Sequence, residues 1–437
     1  MSKRKRIAEA IKNLLIVLLT CTALWLVVDS QLFGHLPGRT EPRDEYGDGD
    51  GDDINYTETV SGQLTLPLQM AVINQSGCYG VQYNSREVSD LFEQVLPVLG
   101  EALSGAEQVL PCTRAQWQQK LTEGPAFWLD LQGKVPLNVL TNWVSGTENS
   151  RLTADTTHLL LGVDGKQSVQ LYYQDAADGQ FYMCVVDMVD ANDLRNSLEQ
   201  VAPNGASFAV QDPELAAIQP QMLILPQTPQ PGEYSSSNPL TAGDEQERLD
   251  ALLEQLSFPV EITTVYDTPE GKRARAGNDT LTISGTGVVS YESTREEGRY
   301  PVDNNGEDSP EYCAVDGARQ LVCGLLEPWS GSAGLYLNKV EQLSENSWRV
   351  EFRYELDNIP ALVGSNGYAA SVLVDQGYIT QYEMQLRTFT PINNQTTLVL
   401  SLRQAAAIAA SMDEENGVLQ LCYQDNGDVY RAGWVVE

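Results

Sequence analysis

Fifteen residues near the start of this chain, Leu14 to Val28, carry no charge and are interrupted only by Thr20, Cys21 and Thr22. A run this apolar in a chain that is otherwise polar cannot lie on a protein surface. It crosses a bilayer, or it is removed as a secretion signal. Counted from Ile11 to Phe33, with Lys12 snorkelling to the interface, it reaches the roughly 20 residues a bilayer core needs. The cluster Lys3-Arg4-Lys5-Arg6 precedes it and stays in the cytoplasm by the positive-inside rule. The competing reading is a cleaved signal peptide ending at Val28-Asp29-Ser30. Asp29 is a poor cleavage residue, and bulky Leu24, Trp25 and Leu26 crowd that region, so an uncleaved anchor is the expectation. No second stretch has spanning length, which sets channel and transporter readings aside. The expected location is the cell membrane, single-pass, with a cytoplasmic N-terminus and an extracytoplasmic bulk.

Charge divides at the same place. The first 33 residues hold five of the 27 basic and two of the 60 acidic residues, leaving 22 basic and 58 acidic beyond them. The outer part is therefore at −36. Such a surface repels phosphate backbones, and no nucleic-acid partner is expected. At 437 residues and 42% apolar composition, the chain can build two or three cores.

Composition shifts mark the divisions: a cytoplasmic segment 1–10, a membrane helix 11–33 and a linker 34–60 centred on Asp48-Gly49-Asp50-Gly51-Asp52-Asp53. Like charges keep such a spacer extended. A first folded domain is expected over 61–212, a Pro/Ser linker over 213–242 and a second domain over 243–437. Within the first, Met70–Asn74 and Tyr79–Tyr83 read as a hairpin. Val88, Leu91, Val95, Leu99 and Leu103 mark a helix. A second helix is expected at Thr113–Leu121, strands at Phe127–Leu131, His158–Val163, Val169–Gln174 and Gln180–Asp187, and a helix over Asp190–Val201. In the second, Leu249, Leu252, Leu253 and Leu256 form a helix stripe, with strands at Ile262–Tyr266 and Leu281–Tyr291. Ser309-Pro310 is an N-cap with Pro at the first helical position. Four strands follow, Leu335–Leu343, Trp348–Leu356, Tyr368–Val374 and Tyr378–Leu386. An Ala-rich helix at Leu398–Met412 and a terminal hairpin, Val418–Tyr423 and Val429–Val436, complete the chain. Helices alternating with antiparallel hairpins indicate α+β.

Chemistry is hard to place. The two histidines are His35 and His158. There is no G-x-S-x-G, Walker loop, G-x-G-x-x-G or H-E-x-x-H. The Asp48–Asp53 run puts Asp53 and Thr59 where a calcium loop needs Gly and Glu. No cofactor and no metal are expected, and no enzyme activity; an envelope hydrolase using paired carboxylates is the remote alternative. Six cysteines beyond the apolar run lack C-x-x-C spacing and are open to disulfides or to buried thiols. Tyr172, Tyr173, Trp348, Phe352, Tyr354, Tyr378 and Tyr382 could line a groove for a cell-wall fragment or peptide, though core packing is the commoner use of such residues.

The layout resembles the YycH/YycI group of Gram-positive bacteria, in particular its divergent clostridial members. The residues that carry the likeness are Leu14-Leu15-Ile16-Val17-Leu18-Leu19, Ala23-Leu24-Trp25-Leu26, Gly80-Val81-Gln82-Tyr83, Leu171-Tyr172-Tyr173-Gln174-Asp175 and Leu421-Cys422-Tyr423-Gln424 with Gly433-Trp434-Val435-Val436. The resemblance implies a non-catalytic regulator anchored beside the sensor histidine kinase YycG (WalK), acting partly through its membrane helix. It also implies a C-terminal YycI/PepSY-like unit and a paralogous regulator as a further partner. The long acidic linker departs from the group. If the helix contacts a partner, Thr20, Thr22 and Ala23 form the small and polar face that would do so.

Overall fold

In the computed structural model, the residues described are 64, 67–164, 168–215, 218–259, 263–294, 298–303, 306, 308–411, 418–426 and 429–436. The expected membrane helix 11–33, the linker 34–60, and with them His35 and the Asp48–Asp53 run, lie outside these. Among the described residues no helix is long and apolar enough to cross a membrane.

Alternating residues of the first strands point to two different cores. The strands are Gln69–Asn74 (β1), Gly77–Val81 (β2), Ala106–Cys112 (β3), Ala126–Pro136 (β4), Asp155–Asp164 (β5), Ser168–Gln174 (β6) and Phe181–Val186 (β7). They form one antiparallel sheet in the order β2-β1-β4-β5-β6-β7-β3. Met70, Val72, Phe127, Leu129, Leu159 and Leu161 face one core with helices Ser85–Ser104 (α1) and Leu137–Ser145 (α3). Ala71, Ile73, Trp128 and Leu160 face the other, under helix Arg114–Glu123 (α2) and Phe208 and Leu223. A period of two thus covers both faces. Helix α1 begins where Asn84 accepts from the Glu87 N–H. Helix α2 begins on a Thr113/Gln116 capping box. Helix Ala191–Glu199 (α4) starts on Asp190, which accepts from two backbone N–H groups.

The second sheet is larger. Strands Thr264–Thr268, Gly271–Ala276, Asp279–Ser284, Val288–Ser293, Tyr378–Gln385, Ala370–Asp375, Ser347–Leu356 and Gly334–Ser344 pair antiparallel in that order. Helix Glu245–Gln255 (α5) and the long helix Pro310–Ser330 (α6), capped by Ser309, bring apolar residues to the same core as one face of this sheet. Ala314, Ala318, Leu321, Val322 and Leu325 of α6 are buried, as their spacing predicts. A third, small core holds helix Leu402–Ser411 (α7) by Ala405 and Ala406 against Leu215, Ile218 and Leu419. The terminal hairpin Leu419–Asp425 and Val429–Val436 pairs along its length.

Several expectations shift. The stretch 213–242, read as a linker, is built into the fold. Leu215, Ile218 and Leu223 are buried, and Gly232–Ser237 is a strand paired to Thr388–Thr396 and to the terminal hairpin. Its prolines prevent long elements, but the apolar residues between them still dock. Leu281–Tyr291 is two strands, because Gly285 and Gly287 make a turn between Ser284 and Val288. Helix α7 starts at Leu402, leaving Leu398 exposed. The described residues all lie in one compact unit. A parallel bridge, Lys134 with Lys339, joins the two sheets.

Candidate functional site

The residues expected to contact a partner, Thr20, Thr22 and Ala23, lie outside the described part, so geometry bears on the other candidates. His158 enters through strand register: β4 and β5 place Asp130 opposite it. Its Nε2 lies 3.5 Å from Asp130 Oδ1, and the Thr157 hydroxyl lies 2.7 Å from Nδ1. Trp128 stacks on the ring at 5.5 Å. Burial pushes the His158 pKa down and the Asp130 pKa up, and each charge partly opposes the shift of the other.

A hydroxyl, an imidazole and a carboxylate in line resemble an acyl-transfer triad, but such a triad needs a cleft for its substrate. None of the three residues lines either of the two clefts described below. Asp130 instead accepts from the Gln132 backbone N–H (2.8 Å) and side-chain Nε2 (2.7 Å), and Gln132 is hydrogen-bonded to Gln420 of the terminal hairpin. The group straps the C-terminal strands to the first sheet.

The larger cleft, about 660 Å³, lies between α2 and the ends of β5 and β6, with Gln116, Gln119, Lys120, Asp164 and Gln170 in its wall. Lys120 donates to the Val163 carbonyl at 2.8 Å, and burial lowers its pKa. A smaller cleft of about 350 Å³ includes Cys78, whose thiol burial pushes up to about 12. A thiol held protonated is a poor nucleophile. All six described cysteines are buried, and Cys78, Cys112, Cys184, Cys313 and Cys323 are free thiols. Among the described residues, no group of three or more His, Cys, Asp or Glu side chains is placed to hold a metal ion.

Of the two readings of the aromatic residues, the structure shows core packing. Tyr172, Tyr173, Trp348, Phe352, Tyr354 and Tyr382 are buried, and Tyr378 is half-buried. They fill cores because they sit on the inward phase of their strands.

Polar side chains also tie helix α3 to the start of α6, across the two sheets. Asn138, Asn142 and Trp143 of α3 donate to Glu311 (2.8 Å), Asp308 (3.1 Å) and Asp316 (3.0 Å), which lie just before α6 and in its first two turns. Carboxylates there also favour the positive end of α6. Asn358 donates to the Leu68 carbonyl at 2.9 Å. Asp155 belongs to the same region, and burial first, then Glu311 and Asp175, raise its pKa to about 6, against a smaller opposing effect of Lys134. The folded chain therefore takes up a proton between about pH 4 and 6 that the unfolded chain does not. That contribution favours folding below pH 4 and is lost as pH rises through 6. Asp155→Asn is expected to stabilise the protein by about 1–2 kcal/mol at pH 7.5, after discounting for solvent screening, and by almost nothing at pH 4. Urea midpoints at the two pH values check this; equal gains at both would contradict it.

No protein-family model matches the chain, and no curated protein matches it. Among solved structures, YycH from Bacillus subtilis is similar at TM-score 0.51 and 13% identity, over 85% of this chain and 93% of that one. A dehydratase of the borrelidin and fluvirucin polyketide synthases aligns at TM-score 0.14 and 9% identity, over 77% of this chain and 97% of that one, a likeness too slight to bear on the fold. The described part of the chain thus has a mixed α+β fold similar to that of YycH.

Proposed function

We infer that this chain is a membrane-anchored, extracytoplasmic regulator of a sensor histidine kinase in a cell-envelope two-component system, with no reaction of its own. The observation that carries this is the likeness to YycH, which runs through nearly the whole of both chains. The N-terminus adds to it, with four basic residues followed by an apolar run of spanning length. In this reading residues 1–10 are cytoplasmic, 11–33 span the membrane once, and the −36 remainder lies outside. Two sheet-centred regions, 61–212 and 243–437, form the outer part together with 213–242, which is built into it, and the second is YycI/PepSY-like in its terminal helix and hairpin. The membrane helix touches the kinase through Thr20, Thr22 and Ala23, and a paralogous regulator completes the assembly.

Polar and small-residue contacts between membrane helices contribute about 1–2 kcal/mol each, enough to shift a kinase equilibrium about fivefold or more. Replacing 11–33 by a Leu-rich anchor of equal length, or introducing Thr20→Leu, Thr22→Leu and Ala23→Leu together, is expected to change a reporter of kinase output as much as deleting the gene does. Full regulation by the Leu-rich version would contradict the role of the helix.

A further inference from the structure

Among the described residues, the second sheet ends on an edge strand that carries none of the usual guards. The edge strand Thr264–Thr268 pairs with Gly271–Ala276 in continuous register, without a bulge. Thr264, Val265, Tyr266 and Asp267 are all exposed, Val265 at 40% and Tyr266 at 42%. Protein edges are normally blunted by proline, lysine or a bulge, because a bare row of N–H and C=O groups templates another strand. Elsewhere in the sheet Thr388–Thr396 carries Pro391 and a register shift against Gly232–Ser237. Thr264–Thr268 carries neither, and its one charge, Asp267, is paired with Lys272 at 3.1 Å.

Phase follows from the hairpin. Thr268 and Gly271 close a two-residue loop and form a hydrogen-bonded pair, with the Thr268 hydroxyl also donating to the Gly271 carbonyl. Counting back in twos, Tyr266 and Thr264 bond inward to Arg273 and Arg275. Val265 and Asp267 turn their N–H and C=O groups to the free edge.

Charge says what fits there. Arg273 and Arg275 stand on one face of the second strand, opposite Tyr266 and Thr264. Neither has an ion pair among the described residues, and the Arg273 Nε is buried without a hydrogen-bond partner. On the next strand, that face continues with Thr280 and Thr282. Two unpaired guanidinium groups are conspicuous in a chain of net charge −33. An added strand would lie two strand spacings, about 10 Å, from Arg273 and Arg275, within reach of long side chains crossing Thr264 and Tyr266. The two arginines are two residues apart, about 6.8 Å, which is the spacing of alternate residues on an incoming strand. The overall negative charge is screened beyond about 8 Å at physiological salt, so the local cations decide at contact. It also disfavours a second copy of this chain as the occupant.

We propose that Thr264–Thr268 is a docking edge for an extended segment of a partner protein with acidic residues at alternate positions, added as a further antiparallel or parallel strand. The backbone row supplies the pairing, and Arg273 and Arg275 select the charge.

The test uses the full-length protein in detergent micelles and the end-blocked peptide Val-Glu-Val-Glu-Val-Glu-Val as probe. Binding is expected, with slowed amide exchange at Val265 and Asp267. Arg273→Gln with Arg275→Gln should weaken it about tenfold with the circular dichroism spectrum unchanged, since Arg275 is exposed and Arg273, though half-buried, makes no ion pair among the described residues that its loss would break. Val265→Pro, which removes an outward N–H and no ladder bond, should abolish it, with the circular dichroism spectrum unchanged. The peptide with lysine for glutamate should bind at least about tenfold more weakly. Absence of binding overturns the proposal. So does binding that survives Val265→Pro, which would be surface charge adhesion alone, and so does equal binding of the lysine peptide. A dimer formed without probe and abolished by Val265→Pro would make a second copy the occupant, and would also overturn it.

Discussion

Valine in place of Gly133 is expected to destabilise the folded protein by about 3–5 kcal/mol, at the upper end for a single substitution. Gly133 lies in β4 at the bridge between the two sheets, one residue before Lys134. A Cβ there would sit 1.8 Å from the Leu337 carbonyl oxygen, 2.8 Å from its carbon and 2.9 Å from the Asn338 Cα. All three are backbone atoms of the facing strand, so no side chain can turn aside to make room. The bridge must open, and with it go the neighbouring contacts of Asn358 with Leu68 and of α3 with α6. Even alanine should cost nearly as much, because the clash begins at the first carbon. Thermal unfolding followed by circular dichroism should show a fall in Tm of roughly 5–10 °C for either variant. A Tm within about 1 °C of wild type would mean that the two sheets do not approach as described.

Asp279→Ala is the second large effect. Asp279 is fully buried and accepts from the Tyr291 hydroxyl at 3.1 Å, the Ser293 hydroxyl at 2.8 Å, and Arg299 at 3.1 Å from Nε and 2.9 Å from Nη2. Arg299 also donates to the Ser257 carbonyl at 2.8 Å and packs 4.6 Å over the Phe258 ring. The ion pair ties the turn after α5 to the second sheet. Losing the carboxylate leaves a largely buried guanidinium unmatched, and breaking a buried pair from one side costs about 3–5 kcal/mol. Asp279→Asn keeps hydrogen bonds to the two hydroxyls and should cost less than half as much. Replacing Asp279 and Arg299 together by apolar residues should recover part of the loss. Urea midpoints for the single and double variants check this. A double variant as unstable as the sum of the singles would deny the coupling.

Four strands between Gly334 and Gln385 were legible in the sequence from their apolar residues at alternate positions, as in Trp348, Val350, Phe352 and Tyr354, all buried, whereas the three-residue strand Ile359–Ala361 was not. Helix α6 was legible from its Ser309-Pro310 start. Helix α3 was not, since Leu137-Asn138-Val139-Leu140-Thr141 mixes β-branched residues and lacks a capping side chain, and packing against α1 and α6 holds it. Strand Gly271–Ala276 is not among the expected strands, because its inward residues are short alanines set between basic side chains rather than bulky apolar ones. The same weak apolar pattern hid the proposed docking edge, where no motif marks the chemistry and only strand register brings Arg273 and Arg275 beside the edge strand. The buried aromatics show the reverse. Their number left a groove open beside the favoured core packing, and their strand phase sends them inward.

The most direct measurement for the regulatory reading is the autophosphorylation rate of the chain's cognate sensor histidine kinase in proteoliposomes, with and without the full-length protein at equal molar amount. The rate is expected to change about fivefold or more, in either direction, and to return to the kinase-alone value when 11–33 is replaced by a Leu-rich anchor. A rate unaffected by the intact protein would contradict the account.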